Sequence, residues 1–144
     1  MDNNSPKMTA ADSAEFLGIT IQGVHRYLKV HDLETTKNQN RVYFGFETAR
    51  KLFKLKFDTK VISFQVVKGG TGKTSIAHSF AVRANLYGAR VLCIDLDQQG
   101  NLTQAFKVNA REVPIMIDIL NAQNSIEDAI LPISPGLDLL PSRI

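Results

Sequence analysis

Residues Lys68-Gly69-Gly70-Thr71-Gly72-Lys73-Thr74 have the residue types and spacing that hold a phosphate group. Three glycines let the backbone turn sharply with its N–H groups aimed inward. A helix beginning at the end of such a loop adds a positive pole of about half a charge. Lys73 is placed to reach the β- and γ-phosphates of a nucleotide. The Thr74 hydroxyl suits magnesium, a hard cation that prefers oxygen ligands. Ser75 continues the polar edge. The pattern departs from G-x-x-x-x-G-K-[ST] at one place: Val67 stands where the first glycine is asked for, and a second lysine, Lys68, follows it.

Such a loop needs a strand before it and a helix after it. The apolar run Val61-Ile62-Ser63-Phe64-Gln65-Val66-Val67 reads as that strand. Ser75 to Tyr87 reads as the helix, with Ile76, Phe80, Ala81, Ala84 and Leu86 near helical spacing and Gly88 at its end. Arg90-Val91-Leu92-Cys93-Ile94-Asp95 is nearly continuous in apolar residues, as in a parallel strand covered on both faces. Val61 to Asp95 is thus expected to form a βαβ unit. Ligands in open parallel sheets bind beyond the carboxyl ends of the strands. That rule places Asp95 and Asp97 on the edge that carries the glycine loop. Carboxylates there can orient a water or hold an ion indirectly, while hydrolysis rests mainly on positioning and charge stabilisation. Cys93, the single cysteine, reads as a small buried hydrophobe and excludes an intramolecular disulfide.

Three stretches share one resemblance. The two-lysine loop K-G-G-T-G-K-T resembles the deviant P-loop of the ParA/MinD group of ATPases. Asp95-Leu96-Asp97-Gln98-Gln99-Gly100-Asn101 is similar to the ParA segment D-x-D-P-Q-G-N, with Gln98 in place of proline. Leu137-Asp138-Leu139-Leu140-Pro141-Ser142 is similar to a later ParA strand. The resemblance covers Lys60 to Ile144. It implies ATP and Mg2+ as cofactors, with Lys68, Gly69, Gly70, Thr71, Gly72, Lys73, Thr74 and Ser75 around the nucleotide. It implies a dimer that sandwiches ATP, with Lys68 reaching the phosphate held by the partner subunit. It also implies that Asp97 sits near the attacking water, with Thr74 and Asp95 at or near the metal. In that family a Walker B aspartate and further strands follow; no such segment occurs after Asp95. The resemblance therefore implies a C-terminally truncated chain and leaves its own hydrolysis undecided. Gln99-Gly100-Asn101 fits ParA better than a membrane-cycling MinD-like protein. An ordinary P-loop kinase would give Lys68 no role.

The first sixty residues differ in kind. They hold 10 Lys and Arg against 7 Asp and Glu, whereas residues 61–144 hold 7 of each, so the net charge of +3 belongs to the front of the chain. Within 21–56 the excess is +5. A local basic patch suggests an anionic partner, nucleic acid first. Thr9 can cap a helix to Leu17, with Ala10, Ala14 and Leu17 at helical spacing and Gly18 ending it. Thr20 can cap a second helix to Lys29 with Ile21, Val24 and Leu28 inward. Glu34 to Lys37 and Arg41 to Phe44 flank Asn38-Gln39-Asn40 as a hairpin. Phe46 to Phe57 then reads as an amphipathic helix with Ala49, Leu52, Phe53 and Leu55 inward.

This order resembles a MerR-type winged helix-turn-helix, which implies Gln22, His25 and Arg26 toward DNA and Lys37 and Arg41 on phosphates. Tyr27 fits a phosphate or the core equally. His25 and His31 read as surface residues, since no second ligand stands at a zinc spacing.

The expected fold class is α/β: a partial P-loop parallel sheet with flanking helices, preceded by a small winged helix-turn-helix domain. The expected boundaries are 1–58 for the DNA-binding domain and 59–144 for the incomplete ATPase domain. Asp58-Thr59-Lys60 is too short for a flexible linker. Pro114 to Leu120 reads as a short helix or turn. Ser125 can cap a helix over Ile126 to Leu131, after which Pro132 and Pro135-Gly136 break the chain. The implied function is ATP-dependent plasmid or chromosome partition, with operator DNA bound through residues 9–56 and a ParB-type centromere-binding partner. The alternative is a truncated transcriptional regulator with a vestigial nucleotide domain. The expected location is the cytoplasm, on nucleoid or plasmid. No apolar run approaches the roughly 18 residues of a membrane span.

Overall fold

The computed structural model describes residues 5–111, 113–121 and 124–143. The chain separates into two compact units, one of residues 1–58 with 84–89, the other of 59–83 with 90–144.

In the first unit, β1 (Met8–Thr9) leads into α1 (Ala10–Leu17), α2 (Ile21–Val30), β2 (Thr36–Asn38), β3 (Arg41–Phe44) and α3 (Phe46–Phe53). Both leading helices start where a threonine hydroxyl can take an orphan N–H. Thr9 accepts from Asp12 N and Thr20 accepts from Gly23 N, each at 3.1 Å. Gly18 ends α1 in the left-handed region at φ 65°. The hairpin forms with Lys37 opposite Val42 and Asn38 opposite Arg41. A short strand not expected from the sequence, β1, pairs antiparallel with β3 and gives the order β1-β3-β2.

Met8, Ala14, Val24, Leu28, Phe44, Ala49 and Leu52 form the core of this unit. Burying a side chain such as Leu28 contributes about 1.5–3 kcal/mol.

Two expectations for this unit are corrected. Ile21 is exposed, because it opens α2 ahead of the inward positions Val24 and Leu28. Helix α3 stops at Phe53 instead of Phe57. Lys54 turns left-handed at φ 50° and its N–H bonds the Arg50 carbonyl, leaving Leu55 and Phe57 exposed.

The second unit holds most of α4 (Lys73–Leu86), then β4 (Val91–Ile94), α5 (Asn101–Ala105), α6 (Met116–Leu120), α7 (Ile126–Ala129), β5 (Leu131–Ser134) and β6 (Leu137–Leu140). β4 and β6 pair in parallel, Val91 opposite Leu137 and Ile94 opposite Leu140. β5 runs antiparallel to β6, so the order is β4-β6-β5 and the sheet is mixed rather than all parallel.

The expected first strand, Val61 to Val67, is not formed. These residues have no regular structure, and Val61 is 97% exposed. The βαβ unit expected over Val61 to Asp95 is therefore incomplete. An apolar run supplies strand propensity, but pairing and burial come from neighbours far along the chain. Here β6 takes the parallel place beside β4. Leu131 also belongs to a strand, not to the preceding helix. Ser125 caps α7 as expected, accepting from Asp128 N at 3.3 Å, but the helix ends at Ala129. Pro135-Gly136, expected as a break, is the two-residue turn of the β5–β6 hairpin, with Gly136 at φ 75°.

Ala81, Cys93, Leu137 and Leu139 form the core of this unit. Cys93 is 8% exposed, and burial pushes its thiol from the ordinary 9.0 up to about 11. The unfolded thiol ionises first as pH rises, while the folded one keeps its proton. Stability from this group is therefore complete below pH 9.0 and is lost as pH rises through about 11. The full loss is about 3 kcal/mol. Alkylation by iodoacetamide at pH 8 is expected to be slow in the native chain and complete in urea; equal rates would contradict the buried thiol.

Candidate phosphate loop and carboxylate edge

The glycine loop takes the conformation its composition allows. Gly70 and Gly72 lie at φ 71° and 82°, where a side chain would be strained. The Thr71 hydroxyl donates to the Lys68 carbonyl at 3.3 Å and closes the turn. The Ile76 N–H donates to the Gly72 carbonyl at 2.9 Å, which makes it an early bond of α4. The N–H groups of Lys73, Thr74 and Ser75 precede that bond and belong to the unsatisfied start of the helix.

Lys68 to Gly72 and Ser75 are exposed, and Lys73 and Thr74 are half-buried. Neither Lys68 nor Lys73 forms an ion pair among the described residues. Left-handed glycines, free N–H donors, two unpaired ammonium groups and the absence of any carboxylate between 68 and 75 fit a polyphosphate. Thr74 offers an oxygen ligand that fits magnesium. Bound there, the metal would supply charge neutralisation across the phosphates.

The carboxylate edge is built differently from what the sequence suggests. Asp95 follows β4 and is 4% exposed. One of its oxygens, Oδ2, accepts from Thr103 N and Thr103 Oγ1, both at 2.8 Å. The other, Oδ1, accepts from Asp97 N at 3.2 Å. The Thr103 hydroxyl in turn accepts from Ser142 N at 2.9 Å, just past β6. A buried carboxylate is stable only when satisfied in this way. Asp95 thus ties the ends of the two parallel strands to the first turn of α5.

Gly100 makes the close approach possible. It lies at φ 59°, and a Cβ there would come within 2.8 Å of the Ser142 carbonyl oxygen. Asp97 is exposed; its Oδ1 accepts from Gln99 N at 3.0 Å and its Oδ2 from Asn101 Nδ2 at 3.5 Å. It shapes the loop while keeping its carboxylate toward solvent. Thr103 was not singled out by the sequence, and Ser142 entered only as the end of the ParA-like strand segment. The Thr103 hydroxyl and the Ser142 amide are brought to Asp95 only through the fold.

In the other unit, Gln22, His25 and Arg26 are exposed on α2, whose buried residues are Val24 and Leu28. Lys37 and Arg41 are exposed on neighbouring strands of the hairpin. Tyr27 is half-buried against the core, and its hydroxyl donates to the Lys51 carbonyl at 3.4 Å. Of its two expected places, the structure shows packing. No helix among the described residues is long and apolar enough to cross a membrane. Nor do three or more His, Cys, Asp or Glu side chains gather there as a metal cluster.

Comparison with known proteins adds the family. The family described as AAA domain matches residues 59–144. A ParA family protein of Chlamydia trachomatis is 41% identical over 85 residues, covering 58% of this chain and 33% of its own. The cell division protein PomZ of Myxococcus xanthus is 38% identical over 79 residues, covering 54% of this chain and 25% of its own. The chromosome partitioning protein ParA of Caulobacter vibrioides is 32% identical over 85 residues, covering 58% and 32%. The chain spans about a third or less of the length of these relatives. No solved structure matches it at a significant level. The glycine loop, the helix it opens and the aspartate edge lie within the matched segment, and the chain belongs to the AAA domain family, in its ParA/MinD-type ATPase branch.

Proposed function

We propose that this chain works in DNA partition as a ParA-type ATPase. It binds ATP and Mg2+ at the two-lysine loop and DNA through its basic front unit. The observation that carries the reading is the loop Lys68–Thr74, with left-handed Gly70 and Gly72 opening α4 inside a segment whose relatives include a chromosome partitioning ParA.

Lys68 to Ser75 surround the phosphates in this reading. Thr74 ligates the metal and Asp97, solvent-facing at the strand end, orients the attacking water. Asp95 acts near the metal by holding this edge in place. Lys68 reaches the nucleotide of a second copy, which makes the active form a homodimer. Residues 1–58 form a winged helix-turn-helix that places Gln22, His25 and Arg26 at base edges and Lys37 and Arg41 on phosphates. Residues 59–144 form the nucleotide-binding domain. The partners are operator DNA and a ParB-type centromere-binding protein, in a cytoplasmic, nucleoid-associated cycle with no membrane step.

Arg26→Ala is expected to weaken binding to DNA from upstream of the protein's own gene by about ten-fold or more. A gel shift at constant salt checks this, and an unchanged midpoint removes Arg26 from the interface.

A second reading, a DNA-binding regulator with a vestigial nucleotide domain, is favoured by the unpaired run Val61 to Val67. ATP turnover by the purified chain, lost in Lys73→Ala, excludes it.

A further inference from the structure

The front unit carries an open surface cavity of about 310 Å3, lined by Tyr27, His31, Leu33, Lys51 and Lys54. Two pairs of residues line most of it: Tyr27 on α2 with His31, the residue that caps its C-terminus, and Lys51 on α3 with Lys54, the residue that caps its C-terminus. The Tyr27 and His31 rings lie 4.1 Å apart, tilted by 42°. Lys54 Nζ stands 5.7 Å from the centre of the Tyr27 ring. Among the described residues, no carboxylate lines the cavity.

Helix C-termini attract cations, so the lysines could be there only for α2 and α3. The two ends carry about half a negative charge each, however, and two ammonium groups leave an excess of about one positive charge. Lys54 also lies at φ 50°, a position where glycine would end the helix with less strain. The chain thus places a lysine where a cheaper residue exists, beside a cavity with aromatic, imidazole and hydroxyl groups.

By helical spacing, Tyr27 occupies a different face of α2 from Gln22, His25 and Arg26, and His31 follows on the Tyr27 side at the helix end. A ligand here would not lie along the proposed recognition face.

We propose that this cavity is a binding site for a small phosphate-bearing ligand, its phosphate held by Lys51 and Lys54 and its body against Tyr27 and His31. The proposal is independent of the nucleotide loop and of the DNA face. The chemistry is charge-assisted hydrogen bonding from ammonium to phosphate oxygen, with room for a ligand of modest size.

The test is residue-resolved NMR of the full chain, titrated first with inorganic phosphate and then with a nucleoside monophosphate, at ionic strength matched with chloride. Saturable shifts at Tyr27, His31, Lys51 and Lys54 are expected, separate from any at residues 68–75. The double variant Lys51→Gln, Lys54→Gly should weaken them at least ten-fold. Glycine suits the left-handed position, so a native melting curve shows that the variant has folded. Shifts that do not saturate by about 20 mM, or that survive the double variant, overturn the proposal. A third arm measures affinity for an unrelated DNA duplex against salt. If only that affinity falls in the double variant, with a salt slope smaller by about two, the lysines serve the DNA backbone and the small-ligand site is refuted.

Discussion

Lys73→Ala is expected to lower the affinity of the chain for a fluorescent ATP analogue by about a hundred-fold or more, while binding of the front unit to DNA is unchanged. Lys73 begins α4, half-buried and without an ion-pair partner among the described residues. Its ammonium group is thus uncommitted in the free protein. A hydrogen bond to a charged group contributes about 1.5–3 kcal/mol, and a phosphate tail offers more than one acceptor. A hundred-fold loss corresponds to about 2.7 kcal/mol. Lys68→Ala should behave differently. Lys68 is exposed at the loop's start, and in the proposed function it serves the nucleotide of a second copy. Affinity of the dilute chain should then change little, with the defect confined to nucleotide-dependent self-association. Anisotropy titrations on both variants, with circular dichroism to verify folding, separate the two roles. Equal losses in both variants would show that the loop uses its lysines as one cluster.

The second large effect is expected at Asp95. Asp95→Asn keeps the shape of the side chain but replaces an acceptor oxygen by a donor. The amide nitrogen would face either the N–H and hydroxyl of Thr103 or the N–H of Asp97, where Asp95 now accepts three hydrogen bonds. Leaving a buried donor unsatisfied costs about 1–3 kcal/mol, and losing charge-assisted bonds adds to this. A loss of about 3 kcal/mol is expected in the second unit. Because the chain has two compact units, a single melting temperature is a poor measure. Hydrogen exchange at the Thr103 and Ser142 amides is a better one. Their protection should fall by about a hundred-fold, while the amides of α2 in the first unit keep theirs. Unchanged exchange at Ser142 would mean that the chain from Asp95 through Thr103 does not hold the end of β6.

Where the sequence could be read, the signal was local. Thr9 and Thr20 each sit three residues before the N–H they cap, so the starts of α1 and α2 follow from composition alone. Gly18 ends α1 for the same kind of reason. The phosphate loop is legible because glycine and lysine positions directly encode its turn.

What could not be read depends on distant partners. Lys54 ends α3 in a conformation that lysine rarely adopts, so an amphipathic pattern running to Phe57 overshoots. Val61 to Val67 has the composition of a strand, yet nothing in those residues says that β6, more than forty positions later in sequence, will lie beside β4. Pro132 argued against a strand, but as part of β5 it needs a partner on only one side. Asp95 carried a chemical expectation from its place after the strand. Its partners are 8 residues away at Thr103 and, through that hydroxyl, a further 39 away at Ser142. No short-range pattern reports that chain of bonds.

The order β4-β6-β5 has one more consequence. One border of this small sheet carries Pro132 and a break in register between Pro132 and Ser134. A backbone without an N–H and with an interrupted ladder is a poor template for another strand. The opposite border, β4, has no such interruption, and its Leu92 and Ile94 are exposed. Enlargement of the sheet is therefore directional: β5 acts as a terminus, and any added strand has to enter alongside β4, next to the carboxylates that follow it.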